Sequence, residues 1–111
     1  MQSTLTRPQA SIVRPCGPLN AANVADFQTQ LTEAVHTEHT SSILIDMSQV
    51  ESLDSAGLMA LVSALNLANV RQKRLNLCAV PVSIRLIFEL TQLDRVFKIF
   101  ENFSSFEATL R

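Results

Sequence analysis

Apolar residues change their spacing several times along this chain, and each change marks an element. Ala10-Ser11-Ile12-Val13-Arg14 reads as a short strand, stopped by Pro15-Cys16-Gly17-Pro18. Residues 2–6 carry a fainter strand pattern, so residues 1–9 are expected as an N-terminal segment with a short edge strand, ahead of one domain over 10–111. Val24, Phe27, Leu31 and Val35 recur at helical spacing, which predicts a helix over 21–35 with Asn20 as its N-cap. Glu38 to Ser41 is polar and reads as a loop. Ser42-Ile43-Leu44-Ile45-Asp46-Met47 is short, apolar and β-branched, as in a strand buried on both faces. Gly57 to Val70 is rich in Ala and Leu and predicts a long helix. Leu75 to Val80 is a further strand after the break at Arg71-Gln72-Lys73-Arg74. Pro81 opens a helix through Ser83, Leu86, Ile87 and Leu90, with the proline in its first turn. Val96 to Phe100 reads as a strand and Ser104 to Leu110 as a short final helix. Strand and helix alternate from residue 42 onward, which predicts an α/β fold with right-handed crossovers and a partly parallel sheet.

Composition narrows the function classes. With 111 residues, 47% of them apolar and 17% charged, the chain can build one core. Its formal net charge of −1 lacks the electrostatic footprint of a general nucleic-acid binder. The lack of Trp and Tyr leaves few platforms for stacking bases or sugars. Cys16 and Cys78 are isolated, so free thiols in a reducing compartment are expected, not a zinc site or a disulfide framework. No apolar run approaches a membrane span and Met1 to Pro8 lacks the apolar core of a signal peptide, so a cytoplasmic location is expected. His36 and His39 lie near Glu33 and Glu38 but have no convincing third ligand, so no metal site is expected. There is no Walker loop and no G-x-G-x-x-G, so no nucleotide cofactor is expected. The hydrolase pattern G-x-S-x-G fails at Leu53, and no catalytic residue is assigned.

The informative stretch runs from Asp46 to Leu58, out of the carboxyl end of a buried strand and into a helix. Ligands and chemistry collect at that end of open α/β sheets. Asp54 or Ser55 can cap the helix, and Gly57 lets another group approach closely. At 100° per residue, Leu58, Leu61, Leu65 and Ala68 share an arc that should face the core. Ser55, Met59, Val62 and Asn66 share the opposite arc, which puts the Ser55 hydroxyl at the top of a partly apolar stripe. Such a stripe suits docking of a partner around a modifiable hydroxyl. Spacing alone favours the plainer alternative, in which Ser55 only caps the helix and Met59 is an isolated surface residue.

Residue identities shift that balance. Asp46, Ser48 and Val50, followed by Asp54, Ser55, Gly57 and Leu58, resemble the signature of STAS domains, in particular bacterial anti-sigma factor antagonists. Gly17-Pro18-Leu19-Asn20 is similar to the motif before that family's first helix, and Leu77 to Pro81 followed by Ile84 to Phe88 is similar to its later strand and helix. Asn20 stands where many antagonists have Asp, Ala56 replaces a second hydroxyl, and Thr91-Gln92-Leu93 replaces a common Ser-Gly-Leu.

The resemblance implies a STAS-type mixed β-sheet with helices packed mainly on one face. It implies that Ser55 is a phosphoacceptor and that Asn20, Asp54, Ser55, Gly57, Met59, Val62 and Asn66 meet the partner. That partner would be an anti-sigma factor serine kinase of histidine-kinase-like ATPase fold, bound when Ser55 is unphosphorylated and released when it is phosphorylated. A PP2C-type serine phosphatase would restore the binding form. The chain would then be a substrate and binding module, not an enzyme. The alternative is a constitutive STAS adaptor, such as a subunit of a lipid-transport complex, with Ser55 purely structural.

Overall fold

The computed structural model describes residues 10–110, so the strand expected at 2–6 lies outside the described residues. Strands β1 (Ala10–Val13), β3 (Ser42–Asp46), β5 (Arg74–Cys78) and β6 (Lys98–Phe100) lie side by side in the order β1-β3-β5-β6. Every pairing among them is parallel, with Ser42 beside Arg74 and Asn76 beside Lys98. A second, two-stranded sheet pairs β2 (Gly17–Leu19) with β4 (Val50–Leu53). Sequence patterning did not mark this pair, because each strand is very short and β2 contains a proline.

Side-chain alternation gives the four-stranded sheet two distinct faces. Ile43, Ile45, Leu75 and Leu77 point into the main core, which α1 (Val24–His36), α2 (Ser55–Val70) and α3 (Val82–Leu90) cover. Leu44 and Cys78 point the other way, under Phe106 of the short helix α4 (Phe103–Glu107). Helices therefore lie mainly on one face, as expected. Two aromatic contacts lock the carboxyl-terminal part. Phe88 of α3 stacks on Phe97 with centroids 5.7 Å apart, and Phe106 meets Phe100 edge-on at 5.6 Å.

Several boundaries differ from the sequence reading, each for a local reason. Helix α1 starts at Val24 with Asn23, not Asn20, in the N-cap position. The two asparagines instead build a turn ahead of it: the Asn20 N–H donates to Asn23 Oδ1 at 2.9 Å, and Asn20 Oδ1 accepts from the Ala22 N–H at 2.9 Å. Pro81 sits just before α3, in the N-cap position, rather than in its first turn. The last strand is shorter than expected because Leu93–Arg95 forms a 3-10 turn. The final helix ends at Glu107 and tightens into a 3-10 turn over Ala108–Leu110.

Helix α2 is also rotated relative to the expected arc. Gly57, Ala60, Leu61, Ala64 and Ala68 are buried, while Leu58 and Leu65 are only half-buried. The small residues Ala60 and Ala64 line the seam with Leu31 of α1, which lets the two helices approach closely. Packing against α1 as well as the sheet thus turns a different stripe inward.

The helix end without its glycine closes in an unusual way. Gln92 takes the left-handed conformation, φ 63° and ψ 17°, and the Thr91 hydroxyl donates to the Ile87 carbonyl at 2.8 Å. A side chain costs energy in that region and glycine does not. Gln92→Gly should therefore stabilise the domain by about 0.5–1 kcal/mol. Urea unfolding of the two proteins checks this, and an unchanged or lower midpoint for the glycine variant would refute it.

Candidate functional site

The turn from β4 into α2 is held by a segment distant in sequence, the end of β2. Asp54 is extended, φ −98° and ψ −174°, and its Oδ1 accepts from the Gly57 N–H at 3.0 Å. Asp54 is therefore the N-cap, and Ser55 is the first residue of the helix. The Asp54 N–H donates to the Leu19 carbonyl at 3.1 Å, which ties the β2 end to the start of α2. Asn20 follows Leu19, so this bond and the β2–β4 pairing carry it to the edge of the site.

Gly57 is buried, and the reason is close packing within the chain. A Cβ there would lie 2.7 Å from the Leu19 carbonyl oxygen and 2.8 Å from Leu53 Cδ1. The group that its missing side chain admits is thus Leu19, and Gly57 does not offer a surface to a partner. Gly17 is needed for its backbone conformation instead. Its φ of 78° suits glycine, and its N–H donates to the Gln49 carbonyl at 2.9 Å, so β2 begins against the loop before β4.

Asp46 anchors that loop. Its Oδ1 accepts from the Ser48 N–H at 3.0 Å, and Arg14 Nε lies 3.4 Å from Oδ2 in an exposed ion pair. Partial burial works against the Asp46 charge. The Ser48 backbone and hydroxyl, together with Arg14, nevertheless hold its carboxyl below the usual carboxylate range. Cys78 is fully buried beside this end of the sheet. Burial, and the nearby Asp46 charge, push its thiol up, so it packs as an apolar core residue.

The remaining site residues lie along α2. Ser55 is exposed, and its hydroxyl makes no hydrogen bond to any described residue. Met59 is 58% exposed one turn later, and Asn66 is exposed two turns beyond that. Val62 is half-buried and packs against the core, so it contributes only an edge to this stripe. The row spans about 16 Å from Ser55 to Asn66 at the rise of an α-helix. Sequence reasoning missed Leu19 and Asn23. Leu19 acts through its backbone carbonyl, which no residue type advertises. Asn23 donates from its side-chain amide to the Pro18 carbonyl, and the signal that could have found it was the helical spacing that begins at Val24.

No group of three or more metal-binding side chains occurs among the described residues, and none of their helices is long and apolar enough to cross a membrane. What the site offers is an accessible hydroxyl on the first turn of a 16-residue helix, flanked by a carboxylate cap and an exposed methionine.

Comparison with known proteins identifies relatives of the fold. The family profile described as STAS domain matches residues 2–106. A candidate anti-sigma factor antagonist from Thermotoga maritima is 25% identical, with 92% of this chain and 87% of that one covered at a TM-score of 0.83. The Bacillus cell fate determinant SpoIIAA in its phosphorylated form is 14% identical, with 96% and 95% covered at a TM-score of 0.72. The STAS domain of a SulP transporter from Vibrio cholerae is 12% identical, with 91% and 80% covered at a TM-score of 0.72. The last two likenesses concern the fold alone.

Two outcomes follow from the site's construction. Gly57→Ala should cost about 2 kcal/mol through overpacking against Leu19, and loosen the β2 end from α2. Chemical denaturation together with amide exchange at Asp54 measures both effects, and a neutral substitution would show that Leu19 is free to move. Asp46 makes stability sensitive to acid. Because its folded pKa is lowered, its ionised form stabilises the fold above the ordinary carboxylate range, and that contribution fades as pH falls through the lowered value. The stability gap between the native chain and Asp46→Asn should therefore shrink from pH ~7 to pH ~3. A gap that stays constant in urea titrations would remove Asp46 from this role.

Proposed function

The chain belongs to the STAS domain family, and on that premise we propose that it is an anti-sigma factor antagonist controlled by phosphorylation of Ser55. The observation that carries this reading is the exposed, unpartnered Ser55 hydroxyl at the head of α2, next to exposed Met59. The antagonist likeness of the Thermotoga maritima protein supports the general role, and a phosphorylated structure of SpoIIAA supports the choice of chemistry.

The unphosphorylated surface docks an anti-sigma factor that is also a serine kinase. Met59 supplies apolar contact, with Asn20 and Asn66 at the rim and Asp54 fixed as the cap. The kinase brings the nucleotide and its metal, and this chain supplies only the nucleophile. Ser55 Oγ attacks the γ-phosphorus, its proton passes to a base on the kinase, and the bond to the nucleoside diphosphate breaks. Hydrolysis by a partner serine phosphatase returns the hydroxyl and releases inorganic phosphate.

The electrostatic consequence is local. A phosphate adds about −1.5 to −2 charges at neutral pH. The positive end of α2 favours that charge by about 0.3–1 kcal/mol, so the fold tolerates it. The interface does not. It had enclosed a neutral hydroxyl beside the Asp54 carboxylate, and the new dianion must be desolvated there next to a like charge. Release thus comes from the loss of an interface rather than from unfolding of the domain.

The test is a paired capture from native lysate with Ser55→Ala and Ser55→Asp as baits, read by mass spectrometry. The Ala bait should retain a histidine-kinase-like ATPase and the Asp bait should lose it, by about tenfold or more, which corresponds to ~1.4 kcal/mol. Retention of the same partner by both baits would replace the switch with a constitutive adaptor, a reading that the likeness to a transporter STAS domain favours.

A further inference from the structure

Register puts Ser42, Arg74, Asn76 and Lys98 on one face of the sheet, the face turned away from α1 and α2. Over the carboxyl half of that face, Phe106 and Leu110 close on Leu44, Cys78 and Phe100. Beside that contact, around the amino ends of β3, β5 and β6, lies a cavity of about 740 Å³. Its volume is in the range of small-molecule sites, about 300–1,000 Å³. Ser55 follows the carboxyl ends of the strands, so this cavity is separate from the site described above.

Three features of its lining point to a ligand. Among the described residues, its charged side chains are Lys73, Arg74 and Lys98, with no carboxylate, although the whole chain carries a net charge of −1. Lys73 Nζ is taken by the Thr37 carbonyl at 2.6 Å, but Arg74 and Lys98 have no carboxylate partner among the described residues. The second feature is apolar: the cavity wraps around the amino ends of the strands, with Phe100, Phe106 and Leu110 as walls on one face and Leu65 of α2 at its edge on the other. The third is a buried polar floor. Ser42 and Asn76 are each only 5% exposed. Asn76 Nδ2 donates to the Ile43 carbonyl at 3.1 Å, while its Oδ1 accepts from no described residue, and the Ser42 hydroxyl has no partner among them. Buried polar atoms normally find partners, because leaving them unpaired is costly.

We propose that this cavity binds an amphipathic anion that carries a hydrogen-bond donor. Its apolar body lies against Phe100, Phe106 and Leu110. Its carboxylate or phosphate lies between Arg74 and Lys98, where a charge-assisted contact is strongest. The Ser42 hydroxyl donates to an oxygen of the ligand, and a ligand hydroxyl or amide N–H donates to Asn76 Oδ1. A plain alkyl chain leaves the Asn76 oxygen unpaired, and a polar anion without an apolar body leaves the walls wet. The ligand therefore needs both parts.

Calorimetric titration of the full chain with 3-hydroxydecanoate, decanoate, decyl phosphate and decanol tests the proposal, with amide chemical shifts to locate binding. Saturable binding of 3-hydroxydecanoate, tighter than decanoate and about tenfold tighter than decanol, is expected. Shifts should centre on Asn76, Phe100 and Leu110. Comparing decanoate with decyl phosphate assigns the head group, and a preference for either supports the site. Arg74 and Lys98 are exposed, so Arg74→Glu with Lys98→Glu should fold and lower the affinity about tenfold. Ser55→Ala should bind like the native chain, which separates this test from that of the phosphorylation switch. Absence of saturable binding at about 1 mM ligand, equal binding of decanol and the anions, or an unchanged affinity after the charge reversal would overturn the proposal.

Discussion

The contact between Leu19 and the head of α2 is the constraint on which the functional end of the molecule depends. It has two parts that require each other. The Asp54 N–H reaches the Leu19 carbonyl at 3.1 Å, and Gly57 has no side chain to block that carbonyl. Leu19 itself is buried, so the contact is anchored in the core rather than resting on the surface. Through it, the loop with Asn20 and Asn23 is carried to the rim of a helix that begins more than thirty residues later in the chain. The hydrogen bonds of the paired asparagines then hold that loop in one shape.

Around this contact, rigid parts surround an accessible hydroxyl. Asp54 is committed to capping, and Asp46 is committed to the loop that precedes β4. The Ser55 hydroxyl makes no hydrogen bond to a described residue. That division has a simple physical consequence. A group added to Ser55 changes the charge at the surface without breaking a bond on which the fold relies, so a binding surface can switch while the domain stays intact.

The sheet separates two kinds of chemistry. One face is packed by α1, α2 and α3 into the main core. Among the described residues, the other is covered over one half by α4 and the turn that follows it, and its other half carries polar and cationic side chains over a buried floor. Helix α2 links the ends, with Ser55 at its start and Leu65 at the cavity. A 16-residue helix is a stiff connection, so the two sites share a scaffold while presenting different surfaces.

The sequence by itself determined most of the elements and the most exposed features of the site. Apolar runs placed β3 and β5, helical spacing placed the body of α1, an Ala- and Leu-rich run placed α2 and an opening proline placed α3, because those signals are local. The Asp54-Ser55 pair marked a helix start, since capping also depends on adjacent residues. Tertiary structure decided what local patterns do not encode. Pairing of β2 with β4 joins short segments whose partners are remote, and a three-residue strand has too few side chains to show a period. The choice of Asn23 over Asn20 came from hydrogen bonds that the loop makes back to Pro18. The buried stripe of α2 followed its packing against α1 as well as the sheet, which no single-helix projection contains. Gly57 was legible as a point of close approach, but the group that approaches, a backbone carbonyl from Leu19, became visible only in three dimensions. A carbonyl is common to every residue, and only the folded chain selects which one arrives.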